Sequence, residues 1–361
     1  MNYAKLIPYL SILVLWACSD DTKQFADGYA IKYFSASDFN HHIELKGKKL
    51  ENGDFLIPKS IYSLNDYVLV GEKQADTFLH IVNKKDYSCM RHVGVNGFGP
   101  KEIGMPWRIY PDVNKSNAFW ALSVDGQKLL SYFDLKNSSP YPTRQHLLQD
   151  SLFYMMDFAF SSDTTLLGTF SDGESKFHEF TMNQQKVNQW GNWSNMVEMN
   201  WPPNVISTLY SGVLKTNEAR EVFVLSSVKI DHLEVLNRET GELFGLRGPE
   251  NSFPSVVVDN SRGYPLLAQT SFENKYGYAT SIVTNDFIYA LYSGYTRHEV
   301  DRLHSKAFDK VLKFSLKGEP LIYYQMDRQL IDITLDEERG ILYGLTVDGN
   351  PGIAEFKLEQ E

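Results

Sequence analysis

Cysteine is almost missing from this chain of 361 residues, with Cys18 and Cys89 as its whole supply. That scarcity excludes a disulfide framework and a zinc site built on paired Cys-x-x-Cys motifs. Basic excess is missing too: 35 Lys and Arg stand against 45 Asp and Glu, a net charge of −10. Nucleic-acid binding, which rests on neutralising phosphates with Lys and Arg, is therefore not expected. Long apolar runs are absent apart from Leu6 to Leu15. That run carries Pro8 and falls short of the about 20 residues a bilayer span needs. Sustained helical periodicity is absent as well, which argues against an α/β enzyme fold. No Gly-x-Ser-x-Gly elbow and no His-Glu-x-x-His helix occurs. The sequence therefore assigns no catalytic residue, no metal ligand set and no cofactor.

What is present begins at the N-terminus. Lys5 precedes the apolar run, and small residues lead to Leu15-Trp16-Ala17-Cys18. A basic n-region, an apolar h-region and small residues before a cut describe a secretory signal. Ending on cysteine, the pattern resembles a bacterial lipobox, which implies that Cys18 is acylated and anchors the mature chain. The acids that follow, Asp20 and Asp21, resemble the export signal of surface lipoproteins of Bacteroidota. The expected division is a signal peptide at 1–17, a lipidated tether at 18–40 and one domain at 41–361. The expected place is the outer membrane, facing the periplasm or the cell surface.

The domain is built from a repeat. A fully apolar strand recurs as Tyr67 to Val70, Phe119 to Leu122, Leu166 to Thr169, Val222 to Leu225, Ile288 to Leu291 and Leu342 to Leu345. Each is followed by an alternating partner: Phe78 to Val82, Leu129 to Phe133, Phe177 to Phe180, Leu233 to Leu236, Val311 to Phe314 and Ile353 to Phe356. Repetition at about 50 residues is the mark of stacked or radially arranged units. Apolar strands beside half-polar ones fit blades covered on both faces near an axis and wetted farther out. The 14% aromatic content suits strands as well. The expected fold is an all-β, six-bladed β-propeller with four-stranded antiparallel blades. Its last blade lacks a fourth strand, and Ile43 to Leu50 alternates properly, so this N-terminal strand is expected to close the sixth blade and remove an open edge.

Several stretches resemble the TolB-like six-bladed propeller lipoproteins of Bacteroidota. They are Gly97-Phe98-Gly99-Pro100-Lys101-Glu102, Ile288 to Gly294, and the closing half from Val311 to Leu345. The resemblance implies fold and family over roughly residues 40–358, but no residue-level activity. Where such relatives commonly read Gly-Arg-Gly-Pro-Gly-Glu, this chain has Phe98 and Lys101. The glycines and proline are expected to serve the backbone of that loop.

In an up-and-down blade, the loop between second and third strands shares a face with the connection to the next blade. Ligands are expected at that mouth. Trp190, Trp193 and Trp201 gather there and suit either sugar rings or the packing of a long loop. Tyr295, Arg297, His298, Glu299, Asp301, Arg302, His304 and Lys306 fall in an insertion of blade five, read as a charged, partly helical lid. Arg297 and Arg302 suit a carboxylate or sulfate. Asp157, Asp286 and Asp332 lie on or near inner strands, where single acids more often cap turns than hold metal. His41 and His42 read as a solvated turn, His80 and His178 as sheet-surface residues, and Cys89 as a small buried or half-buried residue. Asp150-Ser151-Leu152 and Asp163-Thr164-Thr165 resemble O-glycosylation sites. The expected function is non-catalytic binding of a glycan, peptide or envelope protein by a monomer, with the membrane as the partner of Cys18. Two alternatives are a carbohydrate- or lactone-directed propeller enzyme using Tyr295, Arg297 and His298, and a scaffold docking through the opposite face.

Overall fold

The computed structural model describes residues 22–358 apart from 26–27, 51–54, 74, 194–195, 198, 304–307 and 347–348. Cys18, His304 and Lys306 lie outside the described residues. Six antiparallel blades surround a channel, and their strands run outward from first to fourth. Blade one is Pro58–Leu64, Tyr67–Glu72, Thr77–Asn83 and Cys89–Val95, and blade two is Pro106–Pro111, Ala118–Ser123, Lys128–Asp134 and Arg144–Leu148. Blade three is Met155–Phe160, Thr165–Phe170, Phe177–Thr181 and Lys186–Trp190. Blade four is Gly212–Thr216, Val222–Ser227, His232–Asn237 and Leu243–Arg247. Blade five is Tyr278–Val283, Phe287–Tyr292, Lys310–Ser315 and Pro320–Met326, and blade six is Leu330–Asp336, Ile341–Thr346 and Gly352–Lys357. Every strand pair expected from the repeat falls within a second and third strand. The apolar second strands are covered on both sides. Val68 and Val70 meet blade six while Leu69 meets blade two, and the other seams are built alike.

The N-terminal segment closes more of the ring than expected. Thr22–Gln24 pairs with Ala30–Tyr33, which lies parallel along the outer strand of blade four. His41–Leu45 then lies parallel along the outer strand of blade five. Only Lys48–Lys49 completes blade six, helped by the Leu50 N–H donating to Ile353 at 2.8 Å. Two corrections follow. Residues 30–39 are no free tether, because Ile31, Phe34 and Phe39 are buried in the body of the ring. The stretch Ile43 to Leu50 is split between two blades and is not one strand of the sixth. Gly47 marks the split: a Cβ there would come within 2.4 Å of the Phe356 ring, so only glycine lets the chain cross from one blade to the next. Alternation reports a half-buried strand but does not name its partner.

A second repeat becomes visible only in the register. In five blades the second residue of the first strand is skipped by its neighbour: Lys59, Trp107, Met156, Ala279 and Ile331. Such bulges bend a strand and turn side chains at a rim. In blades three and six the residue after the bulge is an aspartate. Asp157 accepts the Leu214 N–H of blade four at 3.0 Å, and Asp332 accepts the Ile61 N–H of blade one at 3.0 Å. Each also accepts the N–H of its own next residue, Phe158 and Ile333. Channel-side N–H groups of a first strand have no neighbouring strand to bond, so these carboxylates satisfy them and clip adjacent blades together.

Candidate functional site

The ring has two unlike faces. One gathers the interblade connections and the loops between second and third strands; the other gathers the remaining turns. On the connection face, Gly97 to Glu102 forms a tight loop. Glu102 folds back to accept the Gly99 N–H at 2.7 Å, while Ile103 donates to Val95 and accepts from Gly97. Gly97 sits at a φ of 157°, with no room for a Cβ beside the Glu102 carboxylate. The backbone role expected for this motif thus falls to Gly97 and Glu102, and Phe98 is left 77% exposed at the tip.

Other connections behave similarly. Trp107 and Met156, both bulge residues, are exposed where first strands begin. Phe153 and Tyr154 project from the short helix Asp150–Phe153 and its end. The connection after blade four forms a hairpin, Val256–Asp259 with Leu266–Gln269, flanked by exposed Phe253 and Phe272. Most of the exposed large apolar residues among those described lie on this one face.

The three tryptophans play a different part. Trp193 is only 3% exposed, donates its indole N–H to the Ser175 carbonyl at 3.2 Å, and packs on Tyr210. It offers no open ring face. Trp190 and Trp201 are half-buried, with Trp201 packed on Phe253 at 6.3 Å between ring centres. Beneath them lies a buried ionic group. Lys176 bonds both carboxylate oxygens of Glu234 at 2.9 Å, and His232 and Tyr29 each reach Glu234 at 3.1 Å. Burial alone pushes the Glu234 carboxyl up, but Lys176 and His232 together hold it below the usual range. Tyr29 joins this group across 205 residues of sequence, which pins the N-terminal strand to blade four.

The insertion of blade five contains the helix Arg297–Leu303, opened by reciprocal bonds between Thr296 and Glu299. Arg297 lies over exposed Phe272 at 5.7 Å, and His298 and Arg302 point to solvent. Tyr295 donates to Asp309 at 3.3 Å with Lys310 over its ring. No hydrogen bond, ion pair or ring contact among the described residues joins Tyr295, Arg297 or His298 to the tryptophans. Two further constellations were not signalled by spacing. Asp172, Glu174 and His178 line a cavity of about 540 Å³ on blade three, and Lys186 lies 3.4 Å from both Glu174 oxygens. His80, Cys89 and His92 meet on blade one.

The turn face instead holds a polar cavity of about 580 Å³ at the channel end. Asp112, Glu218 and Glu337 stand on its rim, and Lys84 is paired with Asp336 at 2.7 Å across the seam of blades one and six. Burial, Asp286 and Glu218 together raise the Glu337 carboxyl. Lys215 projects into this cavity without a hydrogen bond or ion pair among the described residues, and burial pushes its ammonium down. Asp286 is the third acid read near the inner strands. It donates its own N–H to Thr284 and sits in a turn.

A ring of this kind is a scaffold that presents loops around a channel. The chain belongs to the TolB-like 6-blade propeller-like family, whose model matches residues 38–338. It is similar in fold to a protein of Bacteroides fragilis described as exported: 13% identity, 92% of this chain and 100% of the other, TM-score 0.54. It is also similar in fold to U3-55K, with 9% identity, 86% and 98% coverage and a TM-score of 0.50. No curated protein matches the chain.

Proposed function

We propose that this chain is an envelope lipoprotein, anchored by acylated Cys18, that docks a protein or peptide partner on its connection face. The observation that carries the reading is the gathering of exposed apolar side chains on that face, from Phe98 and Trp107 to Tyr154 and Phe272. Exposed apolar groups concentrated in one region mark interaction surfaces, and aromatic residues and methionine are enriched at protein interfaces. The same observation favours a protein over a glycan. Phenylalanine has no hydrogen-bonding group for a sugar hydroxyl, and Trp193, one of the three tryptophans read as a sugar platform, is buried. The acid excess disfavours a polyanionic partner.

The test is photo-crosslinking in intact cells, with the reactive residue placed at position 98, at position 272, or at position 113 on the other face. Discrete adducts from 98 and 272 alone support the reading. Adducts from 113 alone move docking to the turn face. A thermal shift with cell-surface glycans, without any adduct, would replace the protein partner by a glycan.

A further inference from the structure

We propose that His80, Cys89 and His92 form a three-ligand site for Zn²⁺ on the outer part of blade one. One donor atom from each residue lies within 4.8 Å of the other two. The Cys89 sulfur is 3.7 Å from His92 Nε2. Tetrahedral zinc, with Zn–S near 2.3 Å and Zn–N near 2.0–2.1 Å, needs a sulfur-to-nitrogen edge of about 3.6 Å. The Cys89–His92 edge is thus already close to that length, and the His80 donor lies within 4.8 Å of both.

The fold brings them together by a register device. His80 and His92 are direct partners across the third and fourth strands, with rings edge to face at 4.7 Å. Cys89 is three residues before His92, so in a regular strand the two would face opposite sides. A register shift removes that conflict: Ile81 pairs with Arg91 but Val82 pairs with Cys89, which leaves Met90 extra. Cys89 thereby joins the face that His80 and His92 share.

The surroundings complete the case. Glu72 accepts a hydrogen bond from His80 Nε2 at 2.7 Å and is itself fixed by the N–H groups of Leu56 and Ile57. A carboxylate only accepts, so Nε2 carries the proton and the lone pair rests on Nδ1. A carboxylate behind a histidine is the usual support of a metal-bound imidazole. Cys89 and His92 are exposed, which gives the ion a path in and leaves the fourth position to solvent. On binding, the Cys89 thiol gives its proton to solvent as the Zn–S bond forms. Blade three carries the contrasting cluster. There Lys186 already places an ammonium against Glu174, and no thiol is present. None of this depends on the partner proposed for the connection face.

The test uses the full chain with Cys18→Ser, so that Cys89 is the only thiol, titrated with Co²⁺ and then Zn²⁺. One equivalent of Co²⁺ should give a thiolate charge-transfer band and the strong visible bands of tetrahedral cobalt, and Zn²⁺ should bleach both. Cys89→Ser and His92→Ala, at exposed positions, should abolish the charge-transfer band while leaving the thermal transition of the metal-free protein in place. Glu72→Gln, which keeps an acceptor for His80, should weaken Zn²⁺ about 10–100-fold. His178→Ala should leave the spectrum unchanged. Absence of a thiolate band, or its persistence in His92→Ala, would overturn the assignment.

Discussion

The two faces of the ring use charge in opposite ways. On the connection face, Lys176 is sealed against Glu234, His232 and Tyr29 beneath the tryptophans, while apolar side chains stand in water above. On the turn face, Lys215 stands unpaired in a polar cavity among mixed charges. The first face has its charge inside and its apolar groups outside. Such an inversion is costly unless the charge cluster is structural and the apolar groups meet a partner.

Breaking the buried group should give the largest effect. Lys176→Met leaves Glu234 buried and short of its main partner, and should destabilise the protein by about 3–5 kcal/mol in denaturant titration. A change near zero would mean that Glu234 takes up a proton at no cost, and the contrast between the faces would weaken.

A pH effect of similar origin follows at Asp231, near the same region. Burial raises this carboxyl to about 6, outweighing the Arg247 guanidinium 3.1 Å away. A folded-state pKa above the unfolded one means the folded protein holds the proton more tightly. Asp231 therefore imposes no penalty below its unfolded value of 3.8, and its penalty grows to roughly 3 kcal/mol as pH rises through about 6. Denaturant stability measured from pH 4 to 7 should show this fall, and Asp231→Asn should remove that part of the slope.

The clips between blades should rank next. Asp157→Ala frees the Leu214 N–H and strips Arg108 of its partner at 3.3 Å. A loss of about 2–4 kcal/mol is expected, read from the thermal midpoint and denaturant curves.

Lys215→Met should act in the opposite direction to Lys176→Met. Removing an unpaired ammonium from the channel should stabilise the protein by about 1 kcal/mol. A clear loss instead would show that the attraction of Asp332 and Asp157 for the amine outweighs its burial. Smallest of all, Phe98→Ser should shift stability by no more than about 0.5 kcal/mol. Its effect should appear only as lost crosslinking at position 272 if both residues meet one partner.

Much of this molecule was legible in advance because propeller strands carry their environment in local pattern. Val68, Leu69 and Val70 are apolar without alternation because blades cover both sides, and that signal needs no knowledge of contacts. The Gly97-to-Glu102 motif was likewise readable as backbone chemistry. The candidate site was less so. Trp193 sits in a long connection that looks exposed in sequence, yet it is buried because Tyr210 and Ile206, in and just after the short helix Pro203–Leu209, pack into the same cluster. Exposed Phe98 and Phe272 look like any other phenylalanine. His80, Cys89 and His92 have no recognisable spacing, because a bulge and a cross-strand pairing bring them together.

The sequence by itself determined the ring of six blades, since each second strand encodes its two-sided burial in a few consecutive residues. It also determined the backbone chemistry of the Gly97 loop, where steric demands act within a few residues. The tertiary structure alone decided which blades the N-terminal strands join, which aromatics stay in water, and which side chains meet on blade one. Those outcomes depend on pairings between residues up to hundreds of positions apart, such as Tyr29 with Glu234 and Ile61 with Asp332. Local pattern carries burial, but partners are chosen only when the ring closes.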